Sequence, residues 1–278
     1  MHHLIAPIIA LIFAFAGQPF LAQAAPSDKT DALFAALGLP QVLDIMRTEG
    51  MAYGDSLADE MIPGGATPRW AAAVSEIYDM EMMTQEVRAA FDEELQGDDI
   101  DAMLAFFASE PGRTIVTLEV SARRALLDDA VDQASKENAA IAMHDVTPRY
   151  LLIARFVDVN DLVETNVVGA LNANYAFYMG MLDGGAMPDT MTADTALMDV
   201  WAQEAEIRSS TTAWVFAFCL LAYQPLSDAD LQAYIAFSET EAGQDLNNAL
   251  FVAFDGMFND VSRALGLASA RFIVSQEL

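Results

Sequence analysis

Cysteine is nearly missing from this chain: Cys219 stands alone among 278 residues. One thiol cannot close an internal disulfide, so the fold must stand on its packed core. Histidine is almost as scarce, with His2 and His3 at the extreme N-terminus and His144 far from them. That scarcity removes zinc sites built from several Cys and His ligands. It also leaves a Ser-His-Asp or Cys-His arrangement with a single candidate base. Lys29 and Lys136 are the only lysines, and basic residues number 13 against 41 acidic ones, for a net charge of −28. A field of that sign repels nucleic acid and anionic membrane surfaces, which bind through clustered Lys and Arg. It favours solubility in salty surroundings and, secondarily, cationic partners. No glycine motif of the phosphate-cradling or dinucleotide type occurs. No Asp-x-Asp-x-Asp-Gly calcium loop occurs either, and Asp183-Gly184-Gly185 is too little for one. No cofactor and no metal site is implied.

Apolar residues are abundant instead, at 54%, ample for a buried core. The first apolar run, Leu4 to Ala16, is too short for the ~20 residues a spanning helix needs. Ala22-Gln23-Ala24 follows as a small-x-small pattern, with Ala25-Pro26 behind it. Residues 1–24 are therefore expected to be a signal peptide, cleaved after Ala24 or Ala25, and the mature protein to be periplasmic or secreted. The n-region, Met1-His2-His3, departs from the usual pattern by carrying no Lys or Arg; a retained short anchor is the alternative. No cysteine follows the run, which excludes a lipoprotein.

The chain also repeats itself. Leu95, Asp99, Ala102, Ala105, Phe106, Glu110 and Gly112 recur as Leu226, Asp230, Ala233, Ala236, Phe237, Glu241 and Gly243, at a constant spacing of 131 (243 − 112). Trp70 maps on Trp201 at the same spacing. An internal duplication predicts two related helical lobes, 25–146 and 147–278. The pattern is all-α throughout, with no segment reading as a strand. Ile100, Met103, Leu104 and Phe107 fall on one face of a helix. Ser109 then caps the next helix, with Pro111 in its first turn. Gly112 removes a side chain at the junction, so Phe106, Ser109 and Gly112 read as a helix-to-helix corner, repeated by Phe237, Thr240 and Gly243.

Elsewhere the pattern predicts a helix from Asp28 to Leu37 stopped by Gly38 and Pro40, and a second from Val42 weakened by Gly50 and Gly54. A helix from Trp70 to Leu95, kinked near Asp79, comes next. A long helix runs from about Glu110 to Met143, an apolar stretch rich in Asn and aromatics from Leu162 to Leu182, and a final helix from Glu241 to Leu265 stopped by Gly266. Ala213 to Tyr223 is apolar on every face. Burial in the core is expected for it, with a protein partner or a homodimer interface as the alternative.

Chemistry is hard to find. Cys219 lies inside the apolar run and reads as an inert core thiol. His144, beside Asp145 near a helix end, reads as structural or solvent-exposed. Acid pairs such as Asp92-Glu93-Glu94 and Asp98-Asp99 are expected by chance among 41 acids. Met80, Met82 and Met83 raise soft-metal binding, though Met80 and Met83 share a helical face and suit a core stripe.

Phe106-Phe107-Ala108-Ser109-Glu110-Pro111-Gly112-Arg113, and its second copy ending Gly243-Gln244, resemble the Phe-Tyr-x-Ser/Thr-x-x-Gly-Gln/Lys element of the bacterial family catalogued as domain of unknown function 2059. Phe107 and Ser238 stand where that element usually has Tyr, and Arg113 where it has Gln or Lys. The resemblance, about 60 residues per copy, implies an exported helical protein and carries over no catalytic residue. The function expected is non-enzymatic, through protein or small-ligand contacts. A carboxylate-dependent hydrolase, which needs two acids converging in a concave pocket, and methionine-based metal handling are the alternatives.

Overall fold

The computed structural model describes residues 28–96, 99–188 and 190–276, so the expected signal peptide lies outside the described residues. Thirteen helices and no strand are found among them. They are α1 (Asp28–Ala36), α2 (Leu39–Met61), α3 (Pro68–Ile77), α4 (Met80–Glu94), α5 (Ile100–Ala108), α6 (Glu110–Ala125), α7 (Asp129–Asp145), α8 (Pro148–Val159), α9 (Leu162–Asp183), α10 (Ala193–Trp201), α11 (Glu204–Ala222), α12 (Asp228–Ser238) and α13 (Glu241–Gln276). No described helix is long and apolar enough to cross a membrane.

Helix starts follow local capping chemistry. The side chains of Thr67, Asp79, Asp99, Ser109, Asp128, Thr147 and Ser227 each accept a hydrogen bond from a first-turn backbone N–H, satisfying donors that have no partner within the helix. Asp79 turns the expected kink into a clean break between α3 and α4. Asp128 does the same to the helix expected from Glu110 to Met143, which is two helices, α6 and α7. Gly38, at φ 66°, separates α1 from α2, but Pro40 sits inside the first turn of α2 and opens that helix rather than stopping its predecessor.

Glycine placement explains two further departures. Gly50 and Gly54 do not interrupt α2. A Cβ on Gly50 would lie 2.1 Å from the Tyr78 ring, and one on Gly54 2.6 Å from Val74, so both mark where α3 and its C-terminal Tyr78 seat against α2. Gly266 likewise leaves α13 intact. A Cβ there would lie 2.1 Å from the Phe177 carbonyl oxygen, and one on Gly180 2.1 Å from the Arg263 carbonyl oxygen. The backbones of α9 and α13 touch at this crossing. At 36 residues α13 is about 54 Å long, and it packs along α9, α4, α3, α5 and α12.

One hydrophobic core runs from Leu33 on α1 to Ala270 on α13. Trp70 is fully buried in it, donating Nε1–H to the Gly54 carbonyl at 2.8 Å and standing edge-on to Phe272. Ala213–Tyr223 also belongs to it: Val215, Phe216, Ala217, Phe218, Cys219, Ala222 and Tyr223 are all buried against neighbours that include α6, α7, α8 and α9. Most of that segment's apolar surface is packed inside the chain, as the core reading expects; Ala213 is exposed and Trp214, Leu220 and Leu221 are half-buried.

The α9–α13 crossing yields a paired test. Gly266→Ala is expected to destabilise the protein by about 1–3 kcal/mol in urea unfolding, through overpacking against a rigid carbonyl. Gly256, in the same helix, has open space where its Cβ would be, so Gly256→Ala is expected to gain about 0.5–1 kcal/mol.

Candidate functional site

The two corners superimpose in their chemistry. Ser109 Oγ donates to the Phe106 carbonyl at 2.5 Å and accepts from Gly112 N–H at 3.2 Å. Thr240 Oγ1 donates to the Phe237 carbonyl at 2.6 Å and accepts from Gly243 N–H at 3.1 Å. A Cβ on Gly112 or Gly243 would lie 2.1 or 2.2 Å from the carbonyl oxygen of Phe106 or Phe237. Each corner thus presses one helix onto the end of another, and Phe106 and Phe237 stack on each other, centroids 4.2 Å apart and planes within 8°.

Behind the stacked rings lies a partly open pocket of about 150 Å³. Its apolar wall includes Phe107, Phe156, Phe218, Phe237, Leu250 and Phe254, and its polar groups include Glu119, Arg123, Tyr223 and Tyr234. Glu119 and Arg123 are one turn apart on α6, so both side chains reach the same space. Tyr223 closes α11 and Tyr234 sits on α12, and Phe156 of α8 packs on both rings at 5.3 and 4.8 Å.

Glu119 is the chemical centre of this pocket. Tyr223 Oη donates to Glu119 Oε1 at 2.6 Å, and Tyr234 donates to the same carboxyl. Burial pushes the Glu119 carboxyl up to about 7, only partly opposed by the two phenols. Glu119 is half-buried and lines the pocket. Both phenols and the buried Cys219 thiol are pushed far up, by burial first and by Glu119 next. Burial thus favours the thiol form of Cys219, in keeping with a core residue. Arg123 is 5% exposed; its Nη2 and Nε donate to Glu49 at 2.6 and 3.2 Å, and its guanidinium lies over Trp214.

Other candidates do not converge here. His144 is exposed, with Nδ1 2.9 Å from Asp145. Met83 is buried in the core while Met82 is 66% exposed, so the three sulfurs of Met80, Met82 and Met83 do not meet as metal binding requires. No group of three His, Cys, Asp or Glu side chains suited to a metal occurs among the described residues. Another acid, Glu86 on α4, is also pushed up to about 7, by desolvation and then by Asp260 on α13. That pair lies outside the pocket, whose lining contains one acid, Glu119. A larger groove of about 580 Å³ holds Arg149, but that guanidinium is spent on Asp228 and on the carbonyls of Tyr223 and Leu226.

Compared with known proteins, residues 81–140 match the family described as an uncharacterized protein conserved in bacteria (DUF2059). The match takes in α5, α6, the first corner, Glu119 and Arg123; the second corner lies outside it. No curated protein and no solved structure matches the chain.

Linkage gives the pocket acid a thermodynamic signature. A carboxyl whose folded pKa is raised keeps its proton in the native state when the unfolded chain has lost it. Stability therefore falls as pH rises from about 4.5 to about 7, by at most about 3 kcal/mol for Glu119. Glu86 contributes to the same window. Urea unfolding of Glu119→Gln across that range is expected to show a shallower slope than the parent, with the Glu86 share remaining.

Proposed function

We propose that this chain is an exported, non-enzymatic binding protein, built by internal duplication, that holds a small, largely apolar molecule in the pocket where the two copies meet. The single observation that carries the reading is the pocket itself: an aromatic enclosure with one carboxyl and two phenols converging inside it, the usual composition of a small-molecule site.

The duplication is supported by reciprocal packing. Displaced by 131 positions, α4 falls on α11, α5 on α12 and α6 on the first half of α13. In the fold α4 packs on α13 and α11 on α6, while α5 packs on α13 and α12 on α6. Such exchange of partners is the signature of an isologous, two-fold interface, and the stacked Phe106 and Phe237 are equivalent positions meeting face to face. The symmetry is local: Trp70 is buried, whereas its counterpart Trp201 is 60% exposed.

A hydrolase would need a second acid or a nucleophile beside Glu119, and the pocket offers two phenols and a guanidinium engaged by Glu49. Binding without turnover fits that inventory.

The test is ligand-dependent thermal unfolding of the mature chain. Toluene at a hundred times its Kd is expected to stabilise the protein by about 2.7 kcal/mol, and Leu250→Trp, which fills the pocket, to abolish that gain while the protein still folds. Unchanged melting at saturating toluene would contradict the reading.

A further inference from the structure

The pocket is unequal across the pseudo-two-fold axis. Its lining includes three pairs of positions separated by 131: Phe107 with Ser238, Glu119 with Leu250, and Arg123 with Phe254. On the second copy, α13 presents an aliphatic and an aromatic side chain, as expected of a helix facing a core. On the first copy, α6 presents a carboxyl and a guanidinium at the equivalent positions. Burying either one costs several kcal/mol unless it is paired. Arg123 is paired, by Glu49 on α2. Glu119 has no such relief. Its partners Tyr223 and Tyr234 are neutral phenols, and the other titratable group bearing on it, Cys219 of α11, is a neutral thiol. The pocket is thus built with one unneutralised acid among seven aromatic rings, those of five phenylalanines and of Tyr223 and Tyr234.

We propose that the ligand is a small organic cation, a primary or secondary ammonium on an apolar body, whose charged nitrogen sits against Glu119 while its body contacts Leu250, Phe254 and the aromatic wall. This rests on the pocket reading above and specifies it. Three observations point the same way. A carboxylate accepts from an ammonium, and an ion pair there removes the charge that burial penalises. Aromatic faces attract cations, most strongly where water is excluded. The chain's net charge of −28 raises the local concentration of cations around it and lowers that of anions. Size bounds the body: the volume is about 150 Å³, and an apolar cavity of about that size in another protein holds benzene. A single ring or a short alkyl chain fits. A nucleotide or a peptide does not.

Protonation is then part of binding. An ammonium selects the ionised form of Glu119, so a carboxyl that is partly protonated at neutral pH must release its proton when the cation enters. Affinity is expected to fall about ten-fold from pH 8 to pH 6, as the acid, with its pKa near 7, becomes protonated. A neutral ligand of the same shape shows no such loss.

The test is isothermal titration calorimetry of the mature chain with benzylammonium, toluene and benzoate, matched in shape and differing in charge. Benzylammonium is expected to bind at least ten-fold more tightly than toluene at pH 8, with benzoate weakest. Glu119→Gln is expected to erase the benzylammonium advantage and spare toluene. Should that variant fail to fold, the parent protein still reports: titrations at pH 7 in buffers of different ionisation enthalpy should show proton release with benzylammonium and none with toluene. Equal binding of toluene and benzylammonium would overturn the cation assignment and leave the pocket reading standing. Binding of neither would overturn both. A benzylammonium preference without proton release, and insensitive to Glu119→Gln, would place the cation elsewhere and overturn the proposal.

Discussion

At four places in this fold a neighbouring backbone stands where a side chain would otherwise begin. Gly112 and Gly243 admit the carbonyls of Phe106 and Phe237; Gly180 and Gly266 admit those of Arg263 and Phe177. Helices in contact normally keep axes 8–10 Å apart because side chains intervene. Removing Cβ at the contact lets them close further, and the geometry elsewhere follows. The corners fix α5 on α6 and α12 on α13, which brings Phe106 onto Phe237. The α9–α13 crossing fixes the direction of the longest helix, which then reaches back across α3, α4 and α5. The pocket is the space enclosed when these two rigid constraints are met together.

Much of this was legible in the sequence, and the parts that were not have physical reasons. Helix class, an irregularity at Asp79 (read as a kink, found as a break) and the corner at Ser109 and Gly112 rest on local chemistry: a side-chain oxygen one turn ahead of an unpaired N–H leaves a recognisable pattern. Gly266 did not read correctly because glycine has two uses, ending a helix or thinning it, and only the partner helix decides between them. The break at Asp128 was masked by helix formers on both sides. The interior fate of Ala213–Tyr223 was the expected one, since a helix apolar all round needs cover on all sides.

Glu119 was invisible among 41 acids, because one carboxylate on an amphipathic helix carries no mark of burial. Yet a signal existed. Displaced by 131, Glu119 and Arg123 fall on Leu250 and Phe254, positions the second copy fills with core residues. A charged residue whose repeat partner is apolar is a candidate buried charge, and the Trp70–Trp201 pair shows the converse, a core residue whose partner is exposed. Comparing copies by burial class rather than by identity extracts this from one sequence.

One half-buried carboxyl group, short of a counter-charge and hydrogen-bonded by two phenols, sets the character of the pocket. Carbon-13 NMR of labelled glutamate side chains, assigned through Glu119→Gln, reads that group directly. The account predicts a Glu119 midpoint at about 7 in the ligand-free protein, moving down when benzylammonium is added. A midpoint near the ordinary glutamate value of about 4.3, unmoved by the cation, would contradict it.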